Sequence, residues 1–421
     1  MTNRHELFYN YLAQTSDFPL ALDIDRAEGI YLYGANGEKY VDMISGIGVS
    51  NAGHRHPHVL KAIHQQLDKY MHLMVYGEYI ETPQVKLAEA LVGTLRPHPL
   101  PLPCEGGELL SLPPLQGRVG EGLDNVYFTN SGAEAVEGAM KLAKRFTGRS
   151  EIISCFNAYH GSTQGALSLA GAEFFKRNFR PLLPDVRHIR FGVLEDLSLI
   201  TTRTAAIIIE VISGEAGVRV PDVAYHQALR ARCTETGTLL VYDEIQTGFG
   251  RTGTFWAFEQ FGVVPDILLC AKGMGGGMPI GAFISSKSIM AVFKNNPILG
   301  HITTFGGHPV SCASSLATLE VIQSEGLAES AVAKGQLIRG LLQHPSIKEI
   351  RGKGLMLAVE FESFEVLKPI IDRAIWRAKQ GTGVITDWFL FCDNSMRIAP
   401  PLVITEAQIR EACNIILEAI D

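Results

Sequence analysis

From about Asn125 onward the apolar positions fall into two alternating rhythms. Short β-branched runs at 125–129, 151–155, 205–211, 238–245, 266–270 and 280–285 predict buried strands. Between them, 133–146 and 223–236 repeat apolar residues at helical spacing. In the first of these Ala135, Ala139 and Ala143 recur at i+4 while Lys141, Lys144 and Arg145 can face water, as in a helix laid on a sheet. Gly237 supplies a stop for the second. Strands alternating with crossover helices predict an α/β fold with a mostly parallel sheet and helices on both faces. The rhythm changes toward the C-terminus, where 354–361 (GLMLAVEF) reads as a buried strand. Thr405 with Gln408 three residues on then opens a helix through a capping box. This change predicts a smaller α+β domain over 313–421, to which an N-terminal segment 1–55 contributes, beside a large domain over 56–312. The stretch 96–123, rich in proline, glycine and leucine with no period, reads as a long surface insertion.

The chain has 421 residues, 46% of them hydrophobic, enough to bury a large core. Its net charge of −7 and the lack of a dense Lys/Arg stripe argue against nucleic acid as a partner. No uncharged apolar run approaches the roughly 18 residues of a membrane span, and the opening residues carry no secretory pattern. Seven single cysteines without a Cys-x-x-Cys pair suit reduced thiols. The expectation is a cytoplasmic protein without a membrane partner.

The candidate chemistry lies where ligands bind in open α/β sheets, beyond the carboxyl ends of the strands. Asp243 ends the run Leu239-Leu240-Val241-Tyr242, and Lys272 follows the strand ending at Cys270 and opens a glycine run. A lysine there can form an imine with an aldehyde cofactor, and an aspartate can keep a pyridine nitrogen protonated. Taken singly, Asp243 could instead cap a turn and Lys272 be a solvated loop lysine. Asn130-Ser131-Gly132-Ala133 follows a strand and starts a helix, a place for a phosphate or for an ordinary N-cap. Gly248, Gly250 and Gly253 match the dinucleotide fingerprint of nicotinamide oxidoreductases, but they do not end the strand and no clear helix opens on the third. His54, His56 and His58 sit in a Gly–Pro loop without acidic or cysteine companions, so a turn or packing role is expected and no metal.

In order along the chain stand GHRHPHV at 53–59, FTNSGAEAVEGAMKLAKR at 128–145, NAYHG at 157–161, GEAGV at 214–218, DEIQTGFGRTG at 243–253, AKGMGGGMPIGA at 271–282, TFGGHP at 304–309 and MRIAPPLVIT at 396–405. Together they resemble class III aminotransferases of fold type I, in particular the acetylornithine and ornithine aminotransferase branch. The resemblance implies a seven-stranded-type sheet, pyridoxal 5'-phosphate as cofactor, and a homodimer. It implies Lys272 as the imine-forming lysine and general base, Asp243 as partner of the pyridinium, and Gln246 as donor toward the ring hydroxyl. Ser131, Gly132 and Ala133 would hold the phosphate, Tyr159 and Ile245 the two ring faces, with His160 and Glu210 alongside. Thr304 would complete the neighbouring subunit's phosphate site. Arg397 would clamp a substrate carboxylate, with Glu215 as its alternate partner.

The departures from the family fall where substrates are chosen. Relatives usually read His-Gly-Arg-Thr where this chain has His160-Gly161-Ser162-Thr163, so one carboxylate-binding arginine is missing, and Arg118 is a candidate replacement. Ile47, a candidate substrate-binding residue by the same resemblance, stands where ornithine aminotransferases carry tyrosine. The expected reaction moves an amino group from an ω-amino donor of the N-acetylornithine type to a 2-oxo acid such as 2-oxoglutarate, by a ping-pong mechanism. 4-Aminobutyrate, ornithine or a diamine are the alternative donors. An aminomutase or a decarboxylase on the same scaffold, and more remotely the nicotinamide oxidoreductase, stay open.

Overall fold

The computed structural model of the chain describes residues 4–75, 77–95, 102–103, 109–110 and 122–421. Its main sheet has seven strands, which we number in chain order: β1 Asn125–Thr129, β2 Glu151–Cys155, β3 Val186–Ile189, β4 Thr204–Glu210, β5 Leu239–Asp243, β6 Ile267–Cys270 and β7 Gly281–Ser285. Their spatial order is β1-β7-β6-β5-β4-β2-β3. All neighbours are parallel except β7, which runs antiparallel to both β6 and β1. Every residue of β2, β4, β5, β6 and β7 is buried, which explains why these segments read as short, largely apolar runs.

Six of the strands stand where the pattern predicts them. The largest difference is at the end of β5, where Glu244 and Ile245 drop out of the strand. There the Asp243 carboxylate itself accepts the amide of Ile245, at 3.0 Å, and the chain turns away from the ladder. β3 was not foreseen, because Arg187 and His188 interrupt its short apolar run at the sheet edge.

The helix Gly132–Thr147 lies against β6 and β7, with Ala135, Ala139 and Ala143 buried as expected. Its approach is unusually close at Gly138, where an added Cβ would sit 2.3 Å from the ring of Phe283. Only glycine leaves that ring its place. Val223–Thr236 is the second expected helix, closed by Gly237 in the left-handed region at φ 67°.

A second, antiparallel sheet joins Glu349–Lys353, Met356–Glu360, Cys392–Ile398 and Trp388–Phe389. The helices Phe364–Trp376 and Glu406–Ile420 pack together beside it, the latter opened by the expected reciprocal bonds of Thr405 and Gln408. The N-terminal strands Ile24–Glu28, Tyr31–Gly34 and Lys39–Asp42 form a third sheet, in which Lys39–Asp42 pairs in parallel with Thr382–Ile385. Buried Arg251 ties these parts to the large sheet. It donates to the carbonyls of Leu355 at 3.1 Å and Pro400 at 2.5 Å, and to Ser45 Oγ at 3.2 Å and Asn51 Oδ1 at 2.5 Å. The glycines at 248, 250 and 253 thus belong to a buried loop around this arginine, and no helix opens on Gly253.

The three loop histidines disperse onto different carboxylates: His54 onto Asp42 at 2.8 Å, His56 onto Glu325 at 3.2 Å and His58 onto Glu320 at 2.6 Å. Leu102–Pro103 pairs with Leu109–Leu110. Apart from that pairing and residues 122–123, the insertion 96–123, with Arg118 and Cys104, lies outside the described residues. Among the described residues no helix is long and apolar enough to cross a membrane.

Candidate active site

The carboxyl ends of β4 and β5 and the loop after β6 border a cavity of about 460 Å³. Asp243 and Glu210 end neighbouring strands in register, so the parallel ladder alone brings two acids side by side. Asp243 is met by His160, whose Nδ1 lies 2.6 Å from its Oδ2, while His160 Nε2 is buried without a partner among the described residues. Burial opposes a charge on His160, but the hydrogen bond and charge of Asp243, with that of Glu210, outweigh it and hold the imidazole pKa up. Burial pushes the Glu210 carboxyl up to about 7, against the pull of His160 and of the Gly214 amide. Glu210 accepts from Gly214 N at 2.9 Å and Ser213 Oγ at 3.2 Å.

Lys272 enters the cavity from a short turn after β6, with its own backbone in the left-handed region at φ 46°. A non-glycine residue held there is a strained residue, of the kind that collects at functional sites. Burial lowers the pKa of its ammonium, Glu215 works against that shift, and Arg397 adds to it. Opposite stands the start of the helix Gly132–Thr147, where Gly132 and Ala133 present the first amides, which have no partner within a helix. Ser131 Oγ accepts from Glu134 N at 3.2 Å, so its N-cap role is realised here. A Cβ on Gly132 would lie 2.8 Å from Ile245, filling the cradle that the glycine leaves. Tyr159 also lines the cavity, and its hydroxyl lies 3.1 Å from Ser162 Oγ, at the position where the resembling family carries arginine.

Arg397 comes from the second sheet. Its Nη1 and Nη2 each donate to one oxygen of Glu215 at 3.0 Å, and its Nε donates to Asp387 Oδ1 at 2.8 Å. Glu215 lines the main cavity, whereas Arg397 lines a small adjoining one, with Gln246 shared between the two.

The tertiary structure therefore gathers Ser131, Gly132, Ala133, Tyr159, His160, Glu210, Glu215, Asp243, Ile245, Gln246 and Lys272 around one space, with Arg397 reaching it through Glu215. Ile245 reaches it from the turn after β5, not by sharing a strand face with Asp243. Ile47 is not among the lining residues. It sits, 37% exposed, at φ 63° in a left-handed turn, and Val49 lines the cavity instead. Thr304 is exposed and does not line its own chain's cavity, while its neighbour Thr303 accepts from Asn130 Nδ2 at 2.9 Å. Sequence reasoning missed Asp387, which no motif marks, and the apolar wall of Val49, Ile212, Met278 and Ile280. Hydrophobicity alone cannot separate such a wall from core.

The solved structures similar to this chain include an ornithine aminotransferase from Toxoplasma gondii ME49, at TM-score 0.84 and 29% identity over 99% of this chain and 94% of that one. A second structure of ornithine aminotransferase from T. gondii shows partial occupancy of PLP at the active site. Among curated relatives, the acetylornithine aminotransferase of Archaeoglobus fulgidus is 35% identical over 94% of both chains. The [LysW]-aminoadipate semialdehyde/glutamate semialdehyde transaminase of Sulfolobus acidocaldarius is 34% identical over 95% of both. The family model of class-III aminotransferases matches residues 11–420. With that match spanning nearly the whole sequence, on a fold and a cavity of this kind, the chain belongs to the class-III aminotransferases, enzymes that use pyridoxal phosphate.

Proposed function

We propose that the chain moves an amino group from an ω-amino donor of the N-acetylornithine type to a 2-oxo acid such as 2-oxoglutarate, in two half-reactions at one site. The observation that carries this reading is the two-pronged Arg397–Glu215 pair beside the lysine cavity. An arginine neutralised by an acid that a substrate carboxylate can replace accepts that carboxylate in one half-reaction and tolerates its absence in the other. The names of the acetylornithine and semialdehyde relatives support the same donor class.

The residues present fit pyridoxal phosphate: a helix start with free amides, a glycine cradle that a Cβ would close, and a lysine with a depressed pKa. When bound, that group supplies an aldehyde to take up amino groups and a ring that withdraws electrons. The amides of Gly132 and Ala133, with Ser131, would hold its phosphate. Tyr159 and Ile245 would flank its ring, Gln246 would donate to its hydroxyl, and His160 and Glu210 would stand alongside. Asp243, oriented by its 2.6 Å hydrogen bond with His160, would hold a proton on the ring nitrogen. Lys272 Nζ, kept neutral more readily than an ordinary lysine, takes and returns the substrate proton. The apolar wall of Val49, Ile212, Met278 and Ile280 borders the space of that transfer.

A half-reaction screen tests the donor assignment. The cofactor's absorbance should change with N-acetylornithine or another ω-amine and return with 2-oxoglutarate. Reaction with α-amino acids alone would overturn the assignment. Return with pyruvate but not 2-oxoglutarate would mean that Ser162 leaves dicarboxylates unbound.

Exposed Thr304 is assigned to the partner subunit's phosphate, which makes a homodimer the smallest complete enzyme. Cofactor retention should then fall as the protein is diluted below its dimer dissociation constant. Undiminished retention in a monomer, established by sedimentation, would remove Thr304 from the site.

A further inference from the structure

We propose that Asp387 is a positioning residue that holds the Arg397 guanidinium in place while Glu215 gives way to a substrate carboxylate. This rests on the reading of Arg397 as the carboxylate-binding group. Two side chains divide the guanidinium between them: Glu215 takes Nη1 and Nη2, both at 3.0 Å, and Asp387 takes Nε at 2.8 Å. The Trp388 carbonyl accepts from Nη2 at 3.3 Å, and the ring of Phe389 lies 4.4 Å below the guanidinium carbon.

Exchanging Glu215 for a substrate carboxylate swaps one anion for another on the Nη atoms. Between the two, a side chain only 4% exposed would be a lone buried cation if it had no other acid. Asp387 removes that problem, because its bond to Nε is not the one exchanged. The backbone fixes it there: Arg397 N donates to the Asp387 carbonyl at 2.8 Å, and Thr386 Oγ1 donates to the Arg397 carbonyl at 2.6 Å. Glu215 differs from Asp387 in its place: it lines the main cavity, where a substrate carboxylate can reach the Nη side, and Asp387 does not. Its carboxylate accepts from Leu390 N at 3.2 Å as well as from Arg397, and its backbone carbonyl accepts from Phe391 N at 3.0 Å. The arginine is thus anchored on its Nε side and exchangeable on its Nη side.

The test compares KM values of the holoenzyme for 2-oxoglutarate and for 1,4-diaminobutane, a donor with no carboxylate. Asp387→Ala should raise the 2-oxoglutarate KM about tenfold, while kcat and the diamine KM stay within about twofold. Asp387→Asn, which keeps an acceptor for Nε, should fall between Asp387→Ala and the native enzyme. An unchanged 2-oxoglutarate KM, or equal rises for both substrates, overturns the positioning role. If Asp387→Ala does not fold, the nearly isosteric Asp387→Asn decides, with a rise of about threefold in the 2-oxoglutarate KM supporting the role and none overturning it. Arg397→Lys separates the two layers. If it leaves the 2-oxoglutarate KM unchanged, the reading of Arg397 falls and the role of Asp387 with it. If it raises that KM while Asp387→Ala does not, only the positioning role falls.

Discussion

Lys272→Ala is expected to reduce turnover by about four orders of magnitude, because it removes both the cofactor-binding amine and the base that moves the substrate proton. The fold should survive. Alanine meets the same backbone strain at φ 46° that lysine does, so the variant adds none. The phosphate cradle of Ser131, Gly132 and Ala133 is untouched, so the variant should still retain pyridoxal phosphate loosely. Single-turnover absorbance with an ω-amine, alongside a melting curve, checks both halves of this expectation. A solvated loop lysine predicts native rates in Lys272→Ala, and that result would remove Lys272 from the mechanism. A small added amine should recover part of the proton transfer, which a purely structural defect would not allow.

Asp243→Asn should lower the proton-transfer rate by roughly two to three orders of magnitude, the scale on which preorganised charge acts in a closed site. The amide keeps an oxygen for the Ile245 amide but loses the charge that His160 meets at 2.6 Å. If Asp243 were only a turn cap, the variant would lose about 1 kcal/mol of stability and keep its chemistry. Rate and stability therefore separate the two roles. The same variant alters the pH profile of stability. Burial disfavours the His160 charge, and Asp243 more than restores it, so the pair contributes stability in acid that fades as pH rises through the raised imidazole pKa. In Asp243→Asn that component should shrink. A rate unchanged within twofold would leave the pyridinium role without support.

Much of this protein was legible in its residues. The α/β rhythm located six of the seven strands, five of which are buried along their whole length and so read as short, largely apolar runs. The motifs around Ser131, Asp243 and Lys272 named the cavity, because each sits at a strand end or helix start whatever the rest of the chain does. Ser162 and Ile47 stood out only as departures from the resembling family's motifs. Other features needed the third dimension. Asp387 reaches Arg397 only because a hairpin places residues ten apart across from each other. The Arg397–Glu215 pair spans 182 positions and two sheets. Val49 replaces Ile47 at the cavity because four successive residues, 45–48, take positive φ, a turn that no hydrophobic pattern encodes. Arg251 shows the same division. No local pattern marks this arginine for burial, yet three stretches of the chain, at 45–51, 355 and 400, supply the oxygens that let it be buried. Local pattern determined the elements and the chemistry at their ends, because both depend on near neighbours. Which side chains share a charge or a wall was decided by tertiary structure, because that depends on packing between segments far apart in the chain.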